Sequence, residues 1–206
     1  MKQRRKKFKK GIIMSTIVAC SLLFASIGVG AETKATQQTS TSVSVTKASV
    51  TVSKKGVLTF PKKFSMKKVT SELKPEAVKL IKIYGDSLNT GKTTSFNSYV
   101  NKHVAEKADT NYLLGRKYVR DSYSQKVKGM RKANSKKTLS TYSKAVKEVK
   151  TSKVTVENTY KGTGFATFMY QFQPKNFDAF GSVTVKFKFT QLKNGKYVLE
   201  NVYFVY

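Results

Sequence analysis

The chain has 206 residues with 40 Lys+Arg against 11 Asp+Glu, a formal net charge of +29, and 39% hydrophobic residues including 13 Phe and 11 Tyr. That length admits one domain with appendages, and the apolar content supports a modest core rather than a wholly disordered polycation. One cysteine and one histidine exclude an internal disulfide, a cysteine-based zinc site and any multi-histidine metal site, and no cofactor is implied.

Residues 2–10 carry seven positive charges and no negative one; an apolar run follows from Ile12 to about Val29, then Val29-Gly30-Ala31. This order is that of a secretory signal peptide cut after Ala31. Two other readings share the segment. An uncleaved signal anchor is one, since the run approaches the length of a spanning helix. A lipobox at Ile17-Val18-Ala19-Cys20 is the other, opposed by the apolar Ser21-Leu22-Leu23-Phe24 that follows. Cleavage would leave a cysteine-free chain with 33 basic and 11 acidic residues, only Arg116, Arg120 and Arg131 among the basic ones not being lysine. Such a composition suits a product exported by a Gram-positive bacterium, extracellular or associated with the cell wall.

Residues 32–72 read as a Ser/Thr/Lys-rich linker. An edge strand is the alternative for Ser42-Val43-Ser44-Val45 and Val50-Thr51-Val52, and a short strand is expected at Val57 to Phe60, ended by Pro61. An α+β domain is expected over 73–206. Pro75 suits the first turn of a helix, carried on by Val78, Ile81, Tyr84 and Leu88 and stopped at Asn89-Thr90-Gly91. A second helix follows Ser95, with Phe96, Tyr99, Val100, His103 and Val104 on one side. A third is expected from Asn111 to Lys128, a basic loop over 129–137, and a fourth helix from Thr138 to Lys150. The last quarter is β. Strands are expected around Val154 and Val156, from Gly164 through Phe172, over Ser182–Thr190, and over Lys196–Tyr206 after an Asn194-Gly195 hairpin. Val183, Val185, Phe187 and Phe189 alternate with Thr184, Lys186, Lys188 and Thr190, which predicts an antiparallel sheet with one buried and one wet face. Helices covering the buried face give an α+β two-layer domain.

Helices from Pro75 followed by a meander closing in Asn194-Gly195-Lys196-Tyr197-Val198-Leu199-Glu200-Asn201-Val202-Tyr203 resemble the NTF2-like (cystatin-like cone) superfamily, in its secreted bacterial form. The resemblance spans residues 73–206 and implies helices packed on a curved antiparallel meander. The fold hosts isomerases, dehydratases, assembly modules and binding domains, so it selects no function, and it carries no catalytic residue onto this chain.

The candidate chemistry is sparse. Gly85-Asp86-Ser87-Leu88-Asn89-Thr90-Gly91-Lys92-Thr93 has five residues between its glycines where a phosphate loop needs four, and a helix stands where a strand should precede it. His103 has the chemistry of a general base but no neighbouring carboxylate in sequence, and reads as a packed structural histidine. Asp178, Glu157 and Glu200 could form an acid pair; among so many cations their simpler role is charge compensation. Phe165, Phe168, Tyr170, Phe172, Phe177, Phe180, Phe187 and Phe189 either fill a core or line a cone-shaped cavity.

The densest positive stretch runs from Arg116 to Lys150, with twelve basic residues against Asp121 and Glu148. Within it Lys126, Lys128, Arg131, Lys132, Lys136 and Lys137 are the candidate contact surface for a polyanion, against the plain reading of a solvated face. Lysine is a hydrated point charge, suited to nonspecific attraction rather than base readout. The expected function is a secreted, non-enzymatic module held by anionic wall polymer or an anionic lipid surface. The alternatives are an extracellular enzyme or small-ligand binder using the cone, with His103, Asp178 or a tyrosine inside it, and a nonspecific nucleic-acid binder stacking bases on Tyr118, Tyr123 or Tyr142.

Overall fold

The computed structural model describes residues 52–106 and 114–205. The expected signal segment with Cys20, the expected cleavage after Ala31 and the expected linker up to residue 51 lie outside the described residues. β1 (Thr59–Phe60) is followed by four helices, α1 (Met66–Thr90), α2 (Thr94–His103), α3 (Gly115–Ala133) and α4 (Lys136–Lys147), and then by β2 (Thr155–Gly162), β3 (Phe165–Phe172), β4 (Val183–Gln191) and β5 (Tyr197–Val205). The strands form one curled antiparallel sheet in the order β1-β5-β4-β3-β2.

α1 begins nine residues before Pro75, contrary to the expectation from that proline. Its apolar stripe of Val69, Leu73, Ala77, Leu80, Ile81, Tyr84 and Leu88 runs at helical spacing straight through Pro75. Ser65 supplies the start, its hydroxyl accepting from the Lys68 N–H at 3.4 Å. Pro75 has no N–H for the Ser71 carbonyl. One residue earlier the Tyr170 hydroxyl donates to the Thr70 carbonyl at 2.7 Å, tying α1 to the sheet at the break. Gly91, at φ 77°, ends the helix with its N–H on the Ser87 carbonyl at 2.8 Å.

Residues 52–72 are correspondingly part of the fold and not a linker. Leu58 and Phe60 are fully buried, β1 pairs with β5 through Thr59↔Val198 and Phe60↔Tyr197, and Ser53 bridges Thr59. Phe60 also stacks on Tyr197, ring centroids 5.0 Å apart.

The basic loop expected over 129–137 is helical for most of its length. Val119, Tyr123 and Val127 are buried and Met130 packs beside them, so the apolar stripe of α3 continues while Lys117, Lys128 and Lys132 face outward. Only Asn134 and Ser135 separate α3 from α4, and the Ser135 hydroxyl caps α4 by accepting from the Thr138 N–H at 3.1 Å. α1 and α4 press together where Gly85 has no side chain: its carbonyl accepts from the Ser143 hydroxyl at 2.6 Å. A Cβ at Gly85 would stand 3.2 Å from both the Ser143 carbonyl and Val146 Cγ1.

In β4 the expected inner face holds: Val183, Val185, Phe187 and Phe189 are fully buried, and α1 crosses the sheet. The expected wet face does not stay wet. Thr184 and Thr190 are buried and Lys186 and Lys188 are half-buried. A bulge explains part of this. Lys188 pairs with Asn201 and Phe189 with Leu199, so Glu200 is an extra residue crowded onto the outer face. Asn194-Gly195 does turn the chain, Gly195 at φ 83°, but within a connection running from Leu192 to Lys196. α3 lies along β5 beyond its short pairing with β1.

Candidate functional site

The six basic residues singled out in the sequence divide by role. Lys126 donates to the Phe204 carbonyl on β5, and burial lowers its pKa from the ordinary lysine value. Arg131 donates to the Leu88 and Asn89 carbonyls at 2.5 and 2.8 Å, holding the last turn of α1. These two are bound into the fold. Lys128 and Lys132 stand one turn apart on the exposed side of α3, and Lys136 and Lys137 are exposed in the first turn of α4 just across the two-residue link. Four of the six are therefore free to meet a polymer.

The acidic candidates do not assemble into a pair. Glu157 is exposed on β2 and Glu200 is buried on β5, three strand positions along the sheet; at just under 5 Å per strand that separates their backbones by about 14 Å. Glu200 accepts from the Thr190 hydroxyl and stands 3.0 Å from Lys188 Nζ, with Oε1 buried and unpartnered. Asp178 is exposed in a 3-10 turn between β3 and β4.

The aromatic residues fill the inner face of the sheet. Phe168, Tyr170, Phe187 and Phe189 are fully buried. They meet edge to face, Tyr170–Phe187 at 5.7 Å and Phe168–Phe189 at 5.9 Å. Phe177 and Phe180 close over Tyr142 at 5.2 and 4.6 Å. Of the three tyrosines considered for stacking, Tyr123 and Tyr142 are buried and Tyr118 is 52% exposed.

The concavities lie between elements. One, of about 300 Å³, sits between α3 and β5, with Tyr118, Ser122, Lys126, Lys188, Asn201 and Tyr203 on its walls. A second, of about 630 Å³, lies where the end of α4 meets β2 and β3, and carries Lys150, Lys153 and Lys175 with Gln171 and Gln173. A third, of about 490 Å³, is a groove along α1 and α2. α1 contributes Lys79, Lys82, Ile83 and Asp86 to it; α2 contributes Ser95, Ser98, Tyr99, Lys102 and His103.

His103 is 3% exposed at the floor of this groove. Its Nδ1 lies 2.9 Å from the Gly56 carbonyl; a carbonyl only accepts, so Nδ1 carries the proton. Burial lowers the pKa of the ring below the usual histidine value. Tyr99 packs on His103 at 4.7 Å, and Lys79 Nζ stands 5.4 Å from the Tyr99 ring centroid. Burial and the adjacent Glu76 carboxylate raise the Tyr99 pKa well above its usual value. Tyr99 Oη and Glu76 Oε2 are both buried.

His103 thus has the packed position expected of it, inside a setting that sequence reasoning misses. The signal is present as two ladders, Lys79, Lys82 and Asp86 at helical spacing and Ser95, Ser98 and Lys102 likewise. Nothing in one dimension says that α2 turns back beside α1. Among the described residues no group of His, Cys, Asp and Glu has the arrangement of a metal site, and no helix is long and apolar enough to cross a membrane. No protein-family model matches the chain, and no significant match is found among curated proteins or solved structures.

Proposed function

We propose that the chain is an exported, non-enzymatic module of a Gram-positive envelope, retained electrostatically by anionic wall polymer, with an anionic lipid surface as the alternative support. The observation that carries this reading is the imbalance of charge on the folded surface. Lysines project from all four helices, yet only four ion pairs form among the described residues, Arg116–Glu106, Lys117–Asp121, Lys147–Asp86 and Lys188–Glu200. The exposed lysines outside these pairs, Lys128, Lys132, Lys136 and Lys137 among them, keep their attraction for a polyanion, whose bound counterions they release. The filled inner face of the sheet favours a binding role over a cone-cavity enzyme. Kinship with the NTF2-like cone belongs to the same proposal, supported by the order of helices before a curled meander.

The test is retention on isolated cell walls, with and without their teichoic acids, across a salt series. Four lysine–phosphate contacts give a log–log salt slope near −3, so affinity should fall about 50-fold between 50 and 200 mM salt. Replacing Lys128, Lys132, Lys136 and Lys137 by Gln should flatten that slope. Retention independent of teichoic acid and no better than that of a lysine peptide of equal charge would overturn the reading.

A further inference from the structure

We propose that the groove between α1 and α2 seats a phosphate group of a base-free phosphodiester polymer of the glycerol-phosphate kind, with Lys79, Lys82 and Lys102 around it and His103 beneath. The inference rests on the polyanion reading above and gives it a specific seat.

Basic side chains outnumber acids along the groove wall. The wall's single acid, Asp86, is engaged by Lys147 of α4 at 2.6 Å, and the one other carboxylate acting on the groove floor is that of Glu76. Lys79, Lys82 and Lys102 make no ion pair among the described residues. Ser95 and Ser98 add hydroxyl donors on the facing wall. Lysines for the phosphate and hydroxyls for the flanking polyol are the complement of a glycerol-phosphate repeat. The groove lacks what a single-stranded nucleic acid would need. Stacking needs an open ring face, and the exposed rings Tyr118 and Tyr160 belong to α3 and β2, away from the groove.

His103 makes the seat responsive to protons. With Nδ1–H held by Gly56, Nε2 is the nitrogen left for a ligand, an acceptor when neutral and a donor when protonated. The charged groups that act on it are Glu76 and Lys79 of α1 and Lys102 of α2, with burial as the strongest influence and Gly56 the hydrogen-bond partner. Lys79 and Lys102 disfavour its protonation. A phosphate between them offsets that repulsion and adds an attraction of its own. Phosphate binding and protonation of His103 must then favour one another, and by the same factor in each direction.

The chain has one histidine, so a single imidazole proton resonance reports the site. Titrating the purified protein with an end-blocked glycerol-phosphate hexamer should move the His103 titration to higher pH. The hexamer should bind about fivefold tighter at pH 5.5 than at pH 7.5, although its own diester charge is the same at both. Lys79→Gln, Lys82→Gln and Lys102→Gln together should abolish the resonance shift, whereas Gln at Lys128, Lys132, Lys136 and Lys137 should leave it. His103→Gln should remove the pH dependence while binding at pH 7.5 remains. A hexamer that binds without moving the His103 resonance refutes the groove and leaves the envelope reading standing. Absence of binding refutes both. An oligodeoxythymidylate of equal charge that shifts the resonance as far as the hexamer does also overturns the assignment, in favour of a nucleic acid.

Discussion

Replacing Pro75 by alanine should make the protein more stable. Pro75 is the tenth residue of a 25-residue helix and its side chain is exposed, so removing the ring leaves no cavity. Proline in a helix interior stands about 3 kcal/mol above alanine, through the missing N–H and the ring's clash with the carbonyl four residues back. Against this stands the Tyr170 hydroxyl's bond to the Thr70 carbonyl, one residue before the carbonyl that Pro75 leaves unpaired and worth about 1 kcal/mol, which a re-formed turn would loosen. The balance is about 2 kcal/mol in favour of alanine, or a rise in Tm of about 4–8 °C for a fold of this size. Thermal unfolding followed by circular dichroism measures it, with Tyr170→Phe made in both backgrounds. That second change should cost about 1 kcal/mol with Pro75 present and less in the Pro75→Ala background, where the re-formed turn loosens the bond. A Tm lowered by Pro75→Ala would refute the reasoning, because it would mean that the proline itself helps seat α1 on the sheet.

Two further outcomes follow from buried groups. Burial raises the pKa of Tyr142 to about 12 and pushes those of Tyr123 and Tyr170 higher still; Tyr99 is raised by burial and by Glu76. Each phenol stays neutral in the fold above the pH at which it ionises in the unfolded chain, so its contribution is complete below about pH 10 and is lost as pH rises through the folded value. Stability should hold to about pH 9.5 and then fall by about 1.4 kcal/mol per pH unit for each such tyrosine. Absorbance at 295 nm alongside near-ultraviolet dichroism checks this; ionisation of all tyrosines near pH 10 with the dichroism intact would contradict it. Arg131→Gln should cost about 2 kcal/mol in urea unfolding, through its bonds to Leu88 and Asn89. Lys128→Gln with Lys132→Gln should stay within about 0.5 kcal/mol per change. Equal effects would show that the division of the basic cluster is wrong.

The elements most legible in the sequence are those where pattern and tertiary demand agree. α2 carries its apolar face as Phe96, Tyr99, Val100 and His103, and β4 alternates without interruption. Legibility fails where a local signal competes with a longer-range one. Pro75 prefers a helix start, but Val69 and Leu73 extend the buried stripe beyond it and the core decides. The lysines around Gly129 resemble a loop, because charge density hides the continuation of Val127 into Met130. The basic cluster reads as one surface because sequence proximity does not reveal that Lys126 and Arg131 point inward to backbone carbonyls. The groove depends on two helices meeting, and Glu200's burial on a bulge set by pairing with β4. Neither has a trace in a single segment.

The pairing of β1 with β5 also governs when the fold can close. Thr59 and Val198 are partners about 140 residues apart, a span whose closure entropy is among the largest this chain can incur. The Leu58 carbonyl accepts from the Leu199 N–H, and the Leu58 N–H donates to the His103 carbonyl, so the same strand end also engages α2. During synthesis the N-terminal side appears first, and the pairing of Thr59 and Phe60 must wait until β5 has been made. Folding is therefore a late, non-local event. A chain whose β1 stays unpaired until β5 is made would suit passage through a narrow translocation channel, as the exported module proposed above requires.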